Sequence, residues 1–346
     1  MAHLKGTESE KHSVFMEEKD SDTMRAWSEK SYGIYKKEAA SDTSGWDCIV
    51  ITAADPEQQA AYEAQIELAK QQKQIPSKDT DWVVVPDPPG AKVGPGGSTL
   101  FVLSELDKKY GAEKFSTMRV MIIHAGGYSQ RLPSMSVCGK IFAALPVTLG
   151  GGVPCSMLQL KLAMFCDLPN EKTMIPGVFV TCADDILLFD GGVCDFTRPG
   201  FTALAHRSPL ITASGHGVFL LPQGTTTGAT TAEAFLHKPS DALMREKGAV
   251  QTTKLPDGTA EEWAFTDSAF FFDYAVSQKL LKYWNEELVG NITCEIDCYG
   301  DFMQVRPSPA LGCTSLRPNN RPRNPLRCGP TPCSASRLSL LRRCCV

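Results

Sequence analysis

Arg119-Val-Met-Ile-Ile-His124-Ala-Gly126-Gly127-Tyr-Ser-Gln-Arg131-Leu132-Pro133, followed after five residues by Gly139-Lys140, decides the fold. Its first six residues read as a buried strand that empties directly into a glycine pair. The same alternation recurs on both sides. Upstream, Asp47-Cys-Ile-Val-Ile-Thr52 reads as a strand, and Asp55-Pro56 starts a helix that runs to about Gln72. Trp82-Val-Val-Val85 is a second strand, followed by the glycine-rich stretch Pro89–Thr99 and a helix with Leu100, Leu103 and Leu106 on one face. Downstream, Ser156 begins a helix through about Phe165, and Gly177-Val-Phe-Val-Thr181 is the next strand. Further β-rich segments lie at Gly217–Leu221 and Ala269–Phe272. Strands alternating with helices predict an α/β fold, its mixed sheet mostly parallel, with helices on both faces. In such sheets ligands sit beyond the C-terminal ends of the strands, often on glycine-rich loops.

The formal charge of −4 conceals an asymmetry. Nothing after Asp301 is acidic, and eight arginines lie between Arg306 and Arg343; setting those aside leaves −12 for the remainder. An acidic body excludes a nucleic-acid backbone as the main partner, because phosphate binding of that kind needs clustered cations. The N-terminus carries no apolar leader, and no stretch approaches the roughly 18–20 apolar residues of a membrane span. A cytoplasmic protein is expected. Of the 13 cysteines, the eight between Cys48 and Cys298 read as reduced core residues, and no Cys/His cluster has zinc spacing.

Three domains of composition are expected: a polar, mobile leader over 1–44, a catalytic domain over 45–305, and a disordered Arg/Pro/Cys-rich tail over 306–346. The tail has no acid, no aromatic and no apolar period, so it buries too little to offset its ordering entropy.

Chemistry is concentrated in a few motifs. The pair Gly126-Gly127 lets backbone approach a triphosphate, with N–H groups available to phosphate oxygens. Arg131 can fork onto phosphates, and Lys140 supplies a second cation where charge develops during transfer. The arrangement differs from a Walker loop, whose lysine directly follows a glycine and precedes Ser or Thr. A structural turn beside surface cations is the bland alternative. In Thr181-Cys-Ala-Asp184-Asp185 a strand ends in two acids, of which one can hold Mg²⁺ between phosphates. The competing reading is a turn or capping acid. Glu295-Ile-Asp297-Cys-Tyr-Gly-Asp301 offers a later pair, and Phe235-Leu-His237-Lys238-Pro239 a short Lys-Pro motif that alone would be a surface turn.

The glycine loop, Arg131 and Lys140 resemble the signature of the sugar-1-phosphate nucleotidyltransferases. Nine ordered blocks over about 46–304 resemble the fucose-1-phosphate guanylyltransferase family: Gly90–Leu100, His124–Pro133, Gly139–Pro146, Leu160–Met164, Val180–Ile186, Pro199–His206, His216–Leu221, Phe235–Ser240 and Cys294–Phe302. The resemblance implies a Rossmann-like, GT-A-like fold and a reaction of L-fucose 1-phosphate with GTP that gives GDP-L-fucose and pyrophosphate in fucose salvage. It implies that Gly126, Gly127 and Arg131 cradle the triphosphate and that Lys140 stabilises the α-phosphoryl group. Asp184 and Asp297 would hold Mg²⁺, with Asp301 in reserve, and Lys238 would bind the sugar phosphate. Gly96 and Gly97 are candidates for nucleotide contact or for a tight structural turn. His124, His206 and His216 are expected to pack or hydrogen-bond rather than catalyse.

Family members continue for some hundreds of residues into a β-helical region where this chain has its tail. That break is expected to mark a splice, frameshift or gene-model variant, with a genuine short form as the alternative. The remaining functional alternatives are a nucleotidyltransferase for a different sugar phosphate and an impaired form that binds nucleotide without turnover.

Overall fold

Strands that are apolar on both faces need cover on both sides, and the chain alternates its elements accordingly. The computed structural model describes residues 18–127, 133–148, 154–187, 189, 191, 194–225, 228–255, 257–292, 294–303 and 341–345. The first part runs α1 (Glu18–Ser41), β1 (Cys48–Ala53), α2 (Pro56–Gln71), β2 (Asp81–Pro86), α3 (Gly94–Phe115), β3 (Arg119–His124) and α4 (Met135–Cys138). A hairpin of β4 (Ala144–Thr148) and β5 (Pro154–Ser156) leads to α5 (Met157–Phe165) and β6 (Gly177–Cys182). There follow β7 (Phe201–Pro209), α6 (Leu210–Ala213), β8 (Gly217–Leu220), β9 (Ala229–Thr230), β10 (Ala234–His237) and α7 (Asp241–Lys247). The last elements are β11 (Gln251–Lys254), β12 (Ala260–Asp273), α8 (Tyr274–Tyr283) and β13 (Leu341–Cys345).

The main sheet has the order β2-β1-β3-β6-β12-β7-β13-β9, with β8 and β11 also pairing with β12 and β10 pairing with β8. Strands β2, β1, β3 and β6 are parallel, whereas β12 runs antiparallel to both β6 and β7. The α/β expectation therefore holds, with a parallel half that positions the strand ends discussed below. Alternation within β1 shows the two-sided core: Cys48 and Val50 pack with α3 and α8, while Ile49, Ile51 and Ala53 pack with α2 and α5.

Local chemistry explains the helix starts. Asp55 caps α2 by accepting from Gln58 N at 2.7 Å, with Pro56 in the first turn. Ser156 and Gln159 form a reciprocal capping box at α5.

Two segments depart from expectation. Part of the polar leader, Glu18–Ser41, is a helix whose Tyr35 is buried and whose Tyr32 and Ile34 pack on the core. Its few apolar residues gain their burial from contact with α5, not from a strong helical stripe of their own. The tail expectation falls mostly outside the described residues, but Leu341–Cys345 is a strand parallel to β7 and antiparallel to β9. Backbone pairing at an open strand position needs no apolar period, so composition gives no sign of it.

Glu38 on α1 yields a pH prediction. Burial raises its carboxyl from the ordinary 4.5 to about 7, partly offset by the Gly45 N–H. The folded chain therefore keeps a proton between pH 4.5 and about 7 that the unfolded chain has released. Stability from this group is full below about 4.5 and declines as pH rises through about 7. Glu38→Gln is expected to flatten that decline in thermal melts at pH 5 and pH 8. An unchanged slope in the variant would contradict the assignment.

Candidate active site

The parallel strands β1, β3 and β6 all end at one edge, and the polar motifs gather there. His124 at the end of β3 is level with Cys182 at the end of β6, and Ala183 N donates to His124 O. Burial lowers the His124 imidazole to about 4, so it is neutral at pH 7, and its Nε2 lies 2.9 Å from Thr99 Oγ1. In this structure its surroundings are packed chain and Thr99.

Helix α2 organises the loop after β3. Gln58, Tyr62 and Gln65 follow one another at helical spacing and reach toward the same side. Gln58 Oε1 accepts from Ala54 N and Gly127 N, and its Nε2 donates to Ser136 O at 2.8 Å. Tyr62 donates to Ala125 O, and Gln65 Nε2 donates to Cys138 O. One helix face thus ties the glycine pair to the segment that presents Lys140. Gly126 approaches β1 so closely that a Cβ would stand 2.8 Å from Ala53 C, and Gly127 has φ +116. Their N–H groups are occupied by Thr52 Oγ1 and Gln58 Oε1 at 3.4 and 3.3 Å. A phosphate oxygen would replace these long bonds and not fill open donors. Arg131 lies outside the described residues.

Lys140 Nζ stands 2.7 Å from Asp184 Oδ2, and both side chains are substantially exposed. The neighbouring Asp185 turns instead to Lys161 of α5, which is wholly buried. Burial pushes the Lys161 ammonium below the usual lysine range, and the Asp185 carboxylate opposes that shift. The two adjacent acids therefore serve different cations.

The later motifs meet at the same edge. Asp297 Oδ1 accepts from Tyr299 N and Gly300 N, both at 2.8 Å, and Oδ2 lies 3.6 Å from His237 Nε2. Asp301 Oδ2 accepts from Asp297 N, and burial raises its carboxyl, so this reserve candidate closes its own loop. Tyr299 donates to Ser268 O at 2.7 Å and touches Cys182 Sγ at 3.5 Å, which pins the Asp297 loop to the end of β6. Lys238 is exposed with φ +47, its N–H bonded to His216 O.

Gly96 and Gly97 are packed against the chain itself. Both are buried, Gly96 N donates to Ile296 O, and a Cβ on Gly96 would lie 2.8 Å from Ile296 Cγ2. The loop admits the backbone of the segment that carries Asp297.

Asp267 went unnoticed in the sequence. It sits where the β12–β7 register shifts, nearly buried, accepting from Gly217 N at 3.1 Å with His216 Nδ1 at 3.8 Å. Burial raises its carboxyl to about 7, with Asp297 adding to the shift and Lys238 opposing it. His206 lies beside Thr266 Oγ1 at 3.1 Å, its imidazole lowered by burial and by His216.

Among the described residues, no three metal-ligating side chains converge. Two carboxylates with substrate phosphates are nonetheless the donor set on which Mg²⁺ is commonly held, since it keeps waters and rarely takes an all-protein cage. Asp184 and Asp297 each offer carboxylate oxygens of that hard kind.

Residues 112–311 match the family model described as the fucose pyrophosphorylase domain. The chain belongs to the fucose pyrophosphorylase family. This member is 42% identical over 281 residues to fucose-1-phosphate guanylyltransferase of Mus musculus, covering 75% of this chain and 46% of that protein. It is 42% identical over 280 residues to the Homo sapiens protein of the same name, covering 75% of this chain and 45% of the relative. A bifunctional fucokinase/GDP-fucose pyrophosphorylase of Arabidopsis thaliana is 27% identical over 257 residues, 63% of this chain and 24% of the relative. The chain thus spans less than half the length of these relatives. No helix among its described residues is long and apolar enough to cross a membrane.

Proposed function

We propose that this chain transfers GMP from GTP to L-fucose 1-phosphate, releasing pyrophosphate, in a cytoplasmic setting. The observation that supports it best is convergence. Lys140, Asp184, Lys238 and Asp297 are spread over more than 150 residues of sequence, yet lie around one sheet edge. Contacts between Lys140 and Asp184, between His237 and Asp297, and between Cys182 and Tyr299 join them.

In this reading a phosphate oxygen of the sugar phosphate attacks the α-phosphorus of GTP in line. The new P–O bond forms as the bond to the β-phosphate oxygen breaks, and pyrophosphate leaves. The attacking phosphate is ionised at neutral pH, so no general base and no covalent enzyme intermediate are needed; positioning and charge neutralisation do the catalysis. Lys140 neutralises charge at the transferring phosphoryl group. Lys238 holds the sugar phosphate. Asp184 and Asp297 would hold Mg²⁺, which when bound supplies charge neutralisation across phosphate oxygens. Arg131 would contact the triphosphate.

Pyrophosphate release by the purified chain tests the reading. Release that requires GTP, Mg²⁺ and L-fucose 1-phosphate together is the expected result. Release with another base or sugar phosphate would reassign the substrate. A folded chain that binds GTP and releases nothing would be a binder, and the transfer reading would fail.

A further inference from the structure

Lysine is rarely buried completely unless it is paired, and Lys161 is buried completely, within the apolar run Met157–Phe165 of α5. Its Nζ donates to Asp185 Oδ1, and the Phe165 ring centroid lies 5.5 Å from the ammonium. A charge in such a place is costly, and an apolar residue of similar size often serves stability as well or better. Core packing alone therefore gives no reason for a lysine here. The position of its partner does. Asp185 follows directly on Asp184, whose side chain is 55% exposed and faces Lys140 at 2.7 Å. The two acids are bonded neighbours in the bend that follows β6, so holding Asp185 restrains the backbone that carries Asp184.

Resting on the nucleotidyl-transfer reading above, we infer that Lys161 is a positioning residue that clamps Asp185 to α5 and thereby aims Asp184 at the metal-nucleotide. Asp185 is committed to the clamp and does not share the cation. The turn after β6 is also held at Ala183 N by His124 O, which fixes its backbone but not the choice between the two acids, and at Asp184 by Lys140, an exposed pair. Lys161 touches no substrate in this scheme; it acts through Asp185.

The test measures Mn²⁺ binding in the presence of GTP by electron paramagnetic resonance, alongside turnover. Lys161→Met, Asp185→Asn and the double variant are compared with wild type and with Asp184→Asn. Removing a group that orients a metal ligand typically weakens metal affinity about 10–100-fold, and that loss is expected for Lys161→Met and for Asp185→Asn. Because the two act as one clamp, the double variant is expected to be no worse than either single. It also carries no unpaired buried charge, so it remains informative if Asp185→Asn, which leaves Lys161 buried without its partner, fails to fold. Wild-type Mn²⁺ affinity in the folded double variant overturns the inference, as does a loss that is the sum of the two singles. Wild-type chain that binds neither GTP nor Mn²⁺ with GTP overturns the nucleotidyl-transfer reading itself, a distinct result.

Discussion

Lys140→Ala is expected to lower turnover by about 10²–10³-fold, on the order of 3–4 kcal/mol, the usual loss when one charge-stabilising group is removed from a transition state. The ammonium is partly exposed and its only described ionic partner is Asp184, which is also well solvated. Deleting it therefore leaves no buried orphan charge, and exposed pairs add little to stability. The damage should appear in kcat, with the KM for GTP altered far less, because the interaction strengthens as charge develops. Lys238→Arg provides the comparison. It keeps a cation at an exposed position and is expected to change turnover by less than about tenfold, with its effect on the KM for the sugar phosphate. Steady-state kinetics on both variants decide it. Equal losses, or a loss for Lys140→Ala confined to KM, would contradict the roles given to the two lysines.

Much of this arrangement was legible in the sequence because local physics and tertiary need agree there. Arg119–His124 is bounded by polar residues and apolar within, and its strand has those same limits. Asp55-Pro56 and Ser156 carry helix-start chemistry that the neighbouring backbone uses. Lys140, Asp184, Asp297 and Lys238 were candidates by motif order alone, and the fold brings the segments that carry them to one sheet edge. What escaped shares one property: its partner lies far away in sequence. Lys161 interrupts an apolar run, a pattern that local reading treats as noise, and Asp185 lies 24 residues away. Asp267 reads as a polar residue in a strand until Gly217, 50 residues upstream, donates to it. Gln58, Tyr62 and Gln65 did carry a signal, since their spacing marks one face of a helix, but polarity on a helix face ordinarily means solvent. Gly96 shows the converse. The glycines around it left nucleotide contact and a tight structural turn both open, and the close approach seen here is to the chain's own Ile296 backbone.

Gly139→Ala is expected to damage folding and turnover together, because Gly139 is where the scaffold and Lys140 are joined. Its backbone lies at φ 80 and ψ 137, a region that residues with a Cβ avoid at a cost of roughly 1–3 kcal/mol. A Cβ there would also stand 2.5–2.6 Å from ring atoms and the hydroxyl of Tyr62. That ring cannot simply step aside. It is fully buried, packs edge-on against Phe142 at 5.3 Å, and donates to Ala125 O just before Gly126. Overpacking of this kind adds about 1–3 kcal/mol. The chain can relax by moving Tyr62, which loosens the glycine pair, or by moving Gly139, which carries Lys140 with it. A displacement of about 1 Å at a positioning group can cost on the order of 10²-fold in rate. Urea unfolding is expected to show a loss of about 2–6 kcal/mol, the sum of those two ranges. Introducing the same change into Tyr62→Ala separates the causes, since only the backbone part, roughly 1–3 kcal/mol, should remain once the ring is gone. Wild-type stability and turnover in Gly139→Ala would show that neither the backbone nor the ring constrains this junction, and the placement of Lys140 would need another explanation.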